Sequence, residues 1–232
     1  ANATGKLCKT AAVNVSDYLA YFAACREEYD AVIHFTISSD MSGCYQNACI
    51  AAKEFTNVYP VDSRNLSTGI GHLVLNAAEM AEQGMDAADI AAALKKKREK
   101  LDVSFVIDTL EYLKRGGRCS PSAAFFGTML KIKPVLHVDS EGRLIARSKV
   151  RGRMQALRAI AMKFGELEAD KDQMIFISHG DCEKDAMVVK ETLVKEFGCD
   201  PERIILSAVG PVIGSHSGPG TVALFFRGKD RG

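Results

Sequence analysis

The sequence contains no long apolar run and no excess of charge of one sign. No hydrophobic stretch approaches the roughly 18–20 residues that a membrane-spanning helix needs, so we expect no stable insertion into a membrane. Lys and Arg number 30 and Asp and Glu number 29, which gives a net charge of +1. This balance argues against the basic surface of a nucleic-acid-binding protein. The 232 residues, 47% of them hydrophobic and 25% charged, suffice for one or two globular domains.

The sequence also lacks the short motifs of several enzyme and metal-binding classes. There is no C-x-x-C, G-x-G-x-x-G, G-x-x-x-x-G-K-[ST], H-E-x-x-H or G-x-S-x-G, the signatures of zinc ribbons, nucleotide-binding domains, zinc proteases and serine esterases. No cluster of His, Cys and acidic residues has the spacing of a metal site, so we expect neither a metal nor a cofactor. We interpret the seven cysteines as reduced thiols packed in a cytoplasmic protein.

Hydrophobic patterning predicts alternating strands and helices in the first half of the chain. Strands are expected at 31–37, 58–61 and 104–107, and helices at 43–55, 68–83 and 86–100. This alternation is typical of right-handed crossovers and a parallel sheet.

The pattern changes after Arg118. The turn Asp139-Ser140-Glu141-Gly142 predicts a hairpin between strands at 134–137 and 144–147. Helices at 154–167 and 183–197 and strands at 174–178, 203–208 and 222–226 complete the second half. We therefore predict an α/β fold with a parallel-sheet α/β domain over residues 1–118 and a two-layer α/β domain over residues 119–232.

Two polar loops carry residues expected at a ligand site. The first, Ser38-Ser39-Asp40-Met41-Ser42-Gly43, joins the end of a strand to the start of a helix, where free N–H groups and the helix dipole favour an anion. Its serines exceed what one helix cap requires, so Ser39, Ser42 and Gly43 are candidate ligand-binding residues. The second loop, from Gly214 to Gly220, is predicted to be irregular and tight. It holds His216 between two serines, which favours contact with a ligand.

A third segment, Leu113-Lys114-Arg115-Gly116-Gly117-Arg118, allows two interpretations. Paired glycines let a backbone approach a partner closely, and Arg118 would then meet an anion. A charged helix end followed by a hinge fits the same residues equally well.

Six segments of the sequence occur in the order of one known family. They are Ile37 to Gly43 with Tyr45-Gln46-Asn47-Ala48, Val61-Asp62-Ser63, Thr109 to Arg118, Lys131-Ile132-Lys133-Pro134, Lys149-Val150-Arg151, and Gly210 to Gly220. On these residues the chain resembles the DegV family of bacterial fatty-acid-binding proteins, which includes the fatty-acid-carrying subunit of fatty acid kinase. The family's opening strand and Asp-Ser-Thr segment have no counterpart here, so we expect that N-terminal segment to be missing. A Thr-Ser-Gln-Pro stretch is replaced by Thr10-Ala11-Ala12-Val13.

The resemblance implies a binding protein without catalytic residues of its own, for a long-chain, palmitate-like fatty acid. At the matching positions, the hydroxyls of Thr10 and Ser42 would hydrogen-bond the carboxylate, with His216 beside them. The acyl chain would lie in an apolar tunnel between the two domains, with Ser42 contributed by one and His216 by the other. The resemblance also implies a partner, the catalytic subunit of a fatty acid kinase, to which this chain would present the carboxylate.

Two other functions stay open on the residues alone. A serine-type acyl hydrolase could use Ser42, His216 and Asp62, because a catalytic triad is defined by geometry and not by sequence order. No nucleophile-elbow motif supports that alternative. The chain could also bind a different hydrophobic acid in place of a fatty acid.

Overall fold

The computed structural model describes residues 8–118 and 132–232, which form two compact units. The small-sheet unit holds Ala11–Lys100 and Ser140–Arg143. The six-strand unit holds the described part of Leu101–Asp139, together with Leu144–Gly232 and residues 8–10. Residues 101–118, which the sequence pattern assigned to the N-terminal domain, thus lie in the six-strand unit. The predicted boundary adjoins residues 119–131, and these, with Lys131 of the family segment, lie outside the described residues.

The small-sheet unit is built on two parallel strands. Its helices and strands are α1 (Val15–Glu28), β1 (Val32–Thr36), α2 (Cys44–Ala52), β2 (Val58–Asp62), α3 (Thr68–Glu82) and α4 (Ala87–Lys97). The strands pair in parallel from Val32 opposite Val58 to Thr36 opposite Asp62, so the predicted parallel pairing of the first two strands is confirmed. Because parallel strands end at the same edge, the loops after β1 and β2 leave the sheet side by side.

The six-strand unit contains a mixed sheet in the order β5-β4-β3-β8-β6-β7. Its elements are β3 (Leu101–Val106), α5 (Glu111–Arg115), β4 (Ile132–Val138), β5 (Leu144–Arg151), α6 (Arg153–Glu166), β6 (Ile175–His179), α7 (Glu183–Phe197), β7 (Ile204–Ala208), α8 (Pro211–Ser217) and β8 (Val222–Arg227). The predicted hairpin is confirmed, because β4 and β5 are antiparallel up to Val138 opposite Leu144.

The expectation that the third strand continues the parallel sheet is wrong. β3 is antiparallel to both of its neighbours, β4 and β8. All of its residues are buried, and a strand buried on both edges must find two partners for its backbone groups. One partner, β4, is the next strand in the chain, but the other, β8, lies more than a hundred residues later, and the local alternation of elements could not reveal that pairing.

Helices α6 and α7 form the hydrophobic core of the six-strand unit with its sheet. Leu157 and Ile160 of α6, Val189 of α7 and Ile177 of β6 are each 0% exposed and belong to one cluster. Burying side chains of this size contributes about 1.5–3 kcal/mol each. None of the helices in the described ranges combines the length and apolar character that crossing a membrane would require.

A buried ion pair links β3 to β5 across β4. The two terminal guanidinium nitrogens of Arg147, Nη2 and Nη1, donate to the Asp102 carboxylate at 2.7 and 3.1 Å, and Nη1 also donates to Ser104 Oγ at 2.6 Å. The Asp102 side chain is fully buried and that of Arg147 nearly so. On the intervening strand, burial and the charge of Arg147 lower the pKa of His137 to about 4.

Removing one partner of this pair is expected to destabilise the fold strongly. Asp102→Ala leaves the Arg147 guanidinium buried without its carboxylate, which costs about 3–5 kcal/mol. Urea denaturation measures that loss in the free energy of unfolding. The matched control, Lys229→Ala, removes an exposed pair with Glu168 and should change the free energy of unfolding by less than about 1 kcal/mol. Equal losses in the two variants would contradict the prediction.

Candidate functional site

In the small-sheet unit, Asp62 joins the two loops that leave the edge of the sheet. Its carboxylate accepts hydrogen bonds from the Ser39 N–H at 3.1 Å and the Ser39 hydroxyl at 2.7 Å. It also accepts one from the Arg64 N–H at 2.9 Å. The parallel register that sets Thr36 opposite Asp62 makes these contacts possible. Ser39, a predicted ligand-binding residue, therefore has its hydroxyl engaged in holding the loop.

Ser42 lies directly before the N-cap residue of α2, where the sequence predicted an anion site. Its half-buried hydroxyl accepts a hydrogen bond from the Cys44 N–H at 3.3 Å and donates to Cys44 Sγ at 3.2 Å. Gly43 is the N-cap residue and supplies no side chain to cap the helix. The other N–H groups of the first turn are thus available to an incoming acceptor.

In the six-strand unit, strand register brings α5 and α8 together. Val106, the last residue of β3, is opposite Val222, the first residue of β8. Helix α5 follows β3 and helix α8 precedes β8, so both helices lie at the same end of this strand pair. Their contact is tight: a Cβ on Gly218, which has φ +77°, would lie 2.8 Å from Cε2 of Tyr112.

The segment that the sequence predicted as an irregular loop is helical in its first part. Residues 214–217 form the end of α8, which begins at Pro211 and ends before Gly218. Proline is favoured in the first turn because its φ suits a helix and its missing N–H is not needed there. The loop prediction is wrong at these positions because the glycine and serine content obscured the helix.

His216 is hydrogen-bonded to Thr10, which lies 206 residues earlier in the chain. The distance between His216 Nε2 and Thr10 Oγ1 is 2.7 Å. The other ring nitrogen, Nδ1, is buried and has no hydrogen-bond partner among the described residues. Burial, and to a smaller degree the positive charge of Arg118, lower the pKa of His216. The structure thus joins two residues that the family resemblance assigned to one carboxylate site.

The two glycines after α5 have separate structural roles. Gly117 has φ +68°, and its N–H donates to Lys114 O while the Arg118 N–H donates to Leu113 O. This is a Schellman helix end, for which a left-handed glycine is favoured. Gly116 has an ordinary helical backbone, but a Cβ there would overlap the ring of His216. The helix-end interpretation of this segment is therefore correct for the backbone, while Arg118 adds its charge to the environment of His216.

A cavity of about 510 Å³ adjoins His216 in the six-strand unit. Its walls include Tyr112, Gly116 and Pro219, and its charged lining residues are Lys9 and Arg115. The volume falls within the roughly 300–1,000 Å³ of small-molecule sites. The Thr10–His216 pair beside the cavity offers hydrogen-bond donors, and Lys9 and Arg115 in its lining are cations. Such surroundings suit an anionic group.

The three residues of the alternative hydrolase are bonded to other groups. Asp62 holds Ser39 and Arg64, Ser42 bonds to Cys44, and His216 bonds to Thr10. A triad needs the base bonded to the nucleophile and the acid bonded to the base. Each side chain is thus engaged by a partner other than those catalysis would need. No group of metal-ligating residues is found in residues 8–118 and 132–232.

The structure gives new roles to residues that the sequence did not propose for ligand binding. Lys9, Arg115 and Gly116 line the His216 cavity, and Asp62, considered above only for a hydrolase, orders the loop that carries Ser42. The paired glycines were a visible signal for Gly116. No local signal pointed to Lys9, because only the tertiary contact between Thr10 and His216 gives the first described residues a place at the cavity.

Comparison with known proteins decides the family. The profile described as "Uncharacterised protein, DegV family" matches residues 1–229. The chain belongs to the DegV family. It is 36% identical to a DegV domain-containing protein of Clostridium perfringens, over 98% of this chain and 80% of that relative.

Solved DegV structures share the fold of this chain. A fatty-acid-binding DegV family protein from Streptococcus agalactiae is 30% identical, with a TM-score of 0.88 over 99% of this chain and 81% of that one. A DegV family protein from Thermus thermophilus, described for its fatty acid binding, is 34% identical, with a TM-score of 0.87 over 95% and 79% of the two chains. The predicted α/β fold class and family membership are confirmed.

The pKa of His216 is expected to respond to Arg118. Arg118→Ala removes a positive charge that disfavours the protonated ring, so the pKa should rise. It should stay below the ordinary value of about 6.5, because burial is the larger cause of the shift. An NMR titration of the histidine ring protons measures this. Arg158→Ala, on α6, is the control, and an unchanged pKa in Arg118→Ala or an equal rise in both variants would contradict the assignment.

Proposed function

We propose that this DegV protein binds one long-chain, palmitate-like fatty acid and holds its carboxylate at Thr10, Ser42 and His216. The observation that carries the proposal is the hydrogen bond between Thr10 and His216 beside a cavity with cationic walls. Membership of the DegV family supports it, as do the relatives from Thermus thermophilus and Streptococcus agalactiae, which are described as binding fatty acids.

The chemistry of a fatty acid fits the donors at these positions. A carboxylate taken out of water must be met by several hydrogen-bond donors, and bonds to an ionised acceptor are about twice as strong as neutral ones. Hydroxyls from Thr10 and Ser42 and free N–H groups at the start of α2 are such donors. The acyl chain then supplies most of the affinity, at about 0.8 kcal/mol per buried CH₂.

In this proposal the chain is a carrier and performs no chemistry on the lipid. A partner kinase transfers the terminal phosphoryl group of a nucleoside triphosphate to the bound carboxylate, which forms an acyl phosphate and releases the nucleoside diphosphate. The family resemblance supports this step, and it requires that the carboxylate be presented at a site the partner can reach. The residues proposed here would orient the carboxylate and satisfy its oxygens with hydrogen bonds until the partner acts.

The first expected result is that the purified protein carries or takes up about one equivalent of a long-chain fatty acid. Native mass spectrometry gives the stoichiometry, and mass spectrometry of a denaturing lipid extract gives the identity. A chromogenic ester in a parallel assay should remain uncleaved. An apo mass alone, with no uptake on titration with palmitate, would refute fatty acid binding, while ester turnover that depends on Ser42 would favour the hydrolase.

Replacing Ser42 tests how the headgroup is held. Ser42→Ala removes one charge-assisted hydrogen bond, which is worth about 1.5–3 kcal/mol, so palmitate should bind roughly ten- to a hundredfold more weakly. Fluorescence or calorimetric titration measures the affinity. Ser16→Ala, an exposed serine on α1, is the matched control and should bind like wild type.

Two further measurements separate the alternatives for Ser42. The apo melting temperature reports any loss of the Cys44 N–H contact, and a loss of stability without a loss of affinity would make Ser42 a helix cap only. The double variant with His216→Ala tests whether both residues serve one carboxylate. Strictly additive losses of binding energy would argue against a shared headgroup, since residues that contact the same group couple.

A further inference from the structure

The ring of His216 lies with Nδ1 against the backbone of Gly116. A Cβ on Gly116 would lie 2.9 Å from Cε1 of the ring and closer still to Nδ1. The hydrogen that glycine carries in that direction therefore faces Nδ1. Since Nδ1 is buried and has no hydrogen-bond partner in the described part of the chain, it faces a C–H bond and not an acceptor.

This contact decides which ring nitrogen carries the proton. A proton on Nδ1 would be a buried donor without an acceptor, directed at a C–H bond, and such a donor suffers its full desolvation penalty. An unprotonated Nδ1 can instead face the C–H bond as a weak acceptor. A flipped ring would put Cε1 opposite Thr10 and lose the 2.7 Å bond of Nε2, so the hydrogen-bond network fixes the ring orientation.

The doubly protonated ring is disfavoured by the same contact and by its surroundings. A doubly protonated ring also carries a proton on Nδ1, and that proton would face the C–H bond of Gly116. Burial and the charge of Arg118 both lower the pKa of His216, and the charged residues that line the cavity, Lys9 and Arg115, are also cations. At neutral pH the ring is therefore neutral and has one N–H to give.

We infer that His216 carries its proton on Nε2, donates it to Thr10 Oγ1, and thereby leaves the hydroxyl proton of Thr10 to the ligand. The Thr10 hydroxyl has no other hydrogen bond among the described residues. Its proton can only be used by a group that accepts. An alcohol oxygen can also accept this proton, but the bond to an ionised carboxylate is charge-assisted and about twice as strong, so the site favours the carboxylate.

Gly116 is the positioning residue in this arrangement. Its backbone lies in the ordinary helical region, with φ −75°, so alanine there brings no backbone strain. The added methyl would instead push the ring away from Thr10. The identity of the headgroup rests on the proposed function, whereas the proton position on His216 does not.

NMR of the ¹⁵N-histidine-labelled protein at neutral pH tests the proton position directly. The expected result is one ring N–H on Nε2 of His216, with Nδ1 resonating as an unprotonated nitrogen. His216→Gln assigns the signals by their loss. A proton on Nδ1, or on both nitrogens, would overturn the inference whether or not the protein binds a lipid.

Titrations with palmitate and with hexadecanol test the consequence for ligand choice. Thr10→Val should weaken palmitate binding roughly ten- to a hundredfold and hexadecanol binding much less, while Thr10→Ser should restore wild-type palmitate binding. Equal losses for both ligands in Thr10→Val would overturn the donor role of the hydroxyl.

Gly116→Ala should reproduce the palmitate loss and abolish the Nε2 proton signature. The control, Gly71→Ala, adds a methyl where no other group lies within 4 Å. It should leave the palmitate affinity and the Nε2 proton signature unchanged. An unchanged His216 signature in Gly116→Ala would overturn the role of Gly116. If wild type binds neither ligand while the Nε2 proton is present, the proposed function fails and the inferred tautomer stands.

Discussion

The antiparallel pairing of β3 with β8 is the interaction on which the six-strand unit depends. It runs from Leu101 opposite Arg227 to Val106 opposite Val222 and joins segments more than a hundred residues apart in the chain. Because the pairing ends at Val106 and Val222, the helices attached there, α5 and α8, lie next to each other. The contact between Gly116 and His216 follows from this register, and the cavity that His216 lines depends on the same helix pair.

The glycines at the α5–α8 contact matter because they have no side chain. Gly116 and Gly218 let the histidine ring and the Tyr112 ring approach the backbone, and Gly117 ends the helix with a left-handed residue. A close approach of this kind fixes a side chain without a strong bond, since a packed interior leaves no room for other rotamers. The polar atoms of His216 are then constrained from both sides, by Thr10 at Nε2 and by Gly116 at Nδ1.

In the small-sheet unit, a charged side chain fixes the position of the candidate ligand-binding loop. There the Asp62 carboxylate accepts hydrogen bonds from the Ser39 and Arg64 backbones, so the loop before α2 has a defined shape and Ser42 lies directly before the N-cap of the helix. In the proposed function, the hydroxyl donors of both units are held in position before a ligand binds. Rigid donors lose less conformational freedom when a ligand binds, which is the physical advantage of a preformed site.

The sequence by itself determined the α/β class, the parallel pairing of β1 with β2 and the hairpin around Asp139 to Gly142, and it proposed Ser42 and His216 as ligand-binding residues. These follow from local periodicity, turn residues and resemblance, all of which act over short stretches of chain or over matching positions. Only the tertiary structure decided the partners of β3, the helical state of residues 214–217, and the bond between Thr10 and His216. Strand partners and contacts over long sequence separations are set by which surfaces bury one another and which backbone groups remain unpaired, and local sequence patterns do not encode that competition.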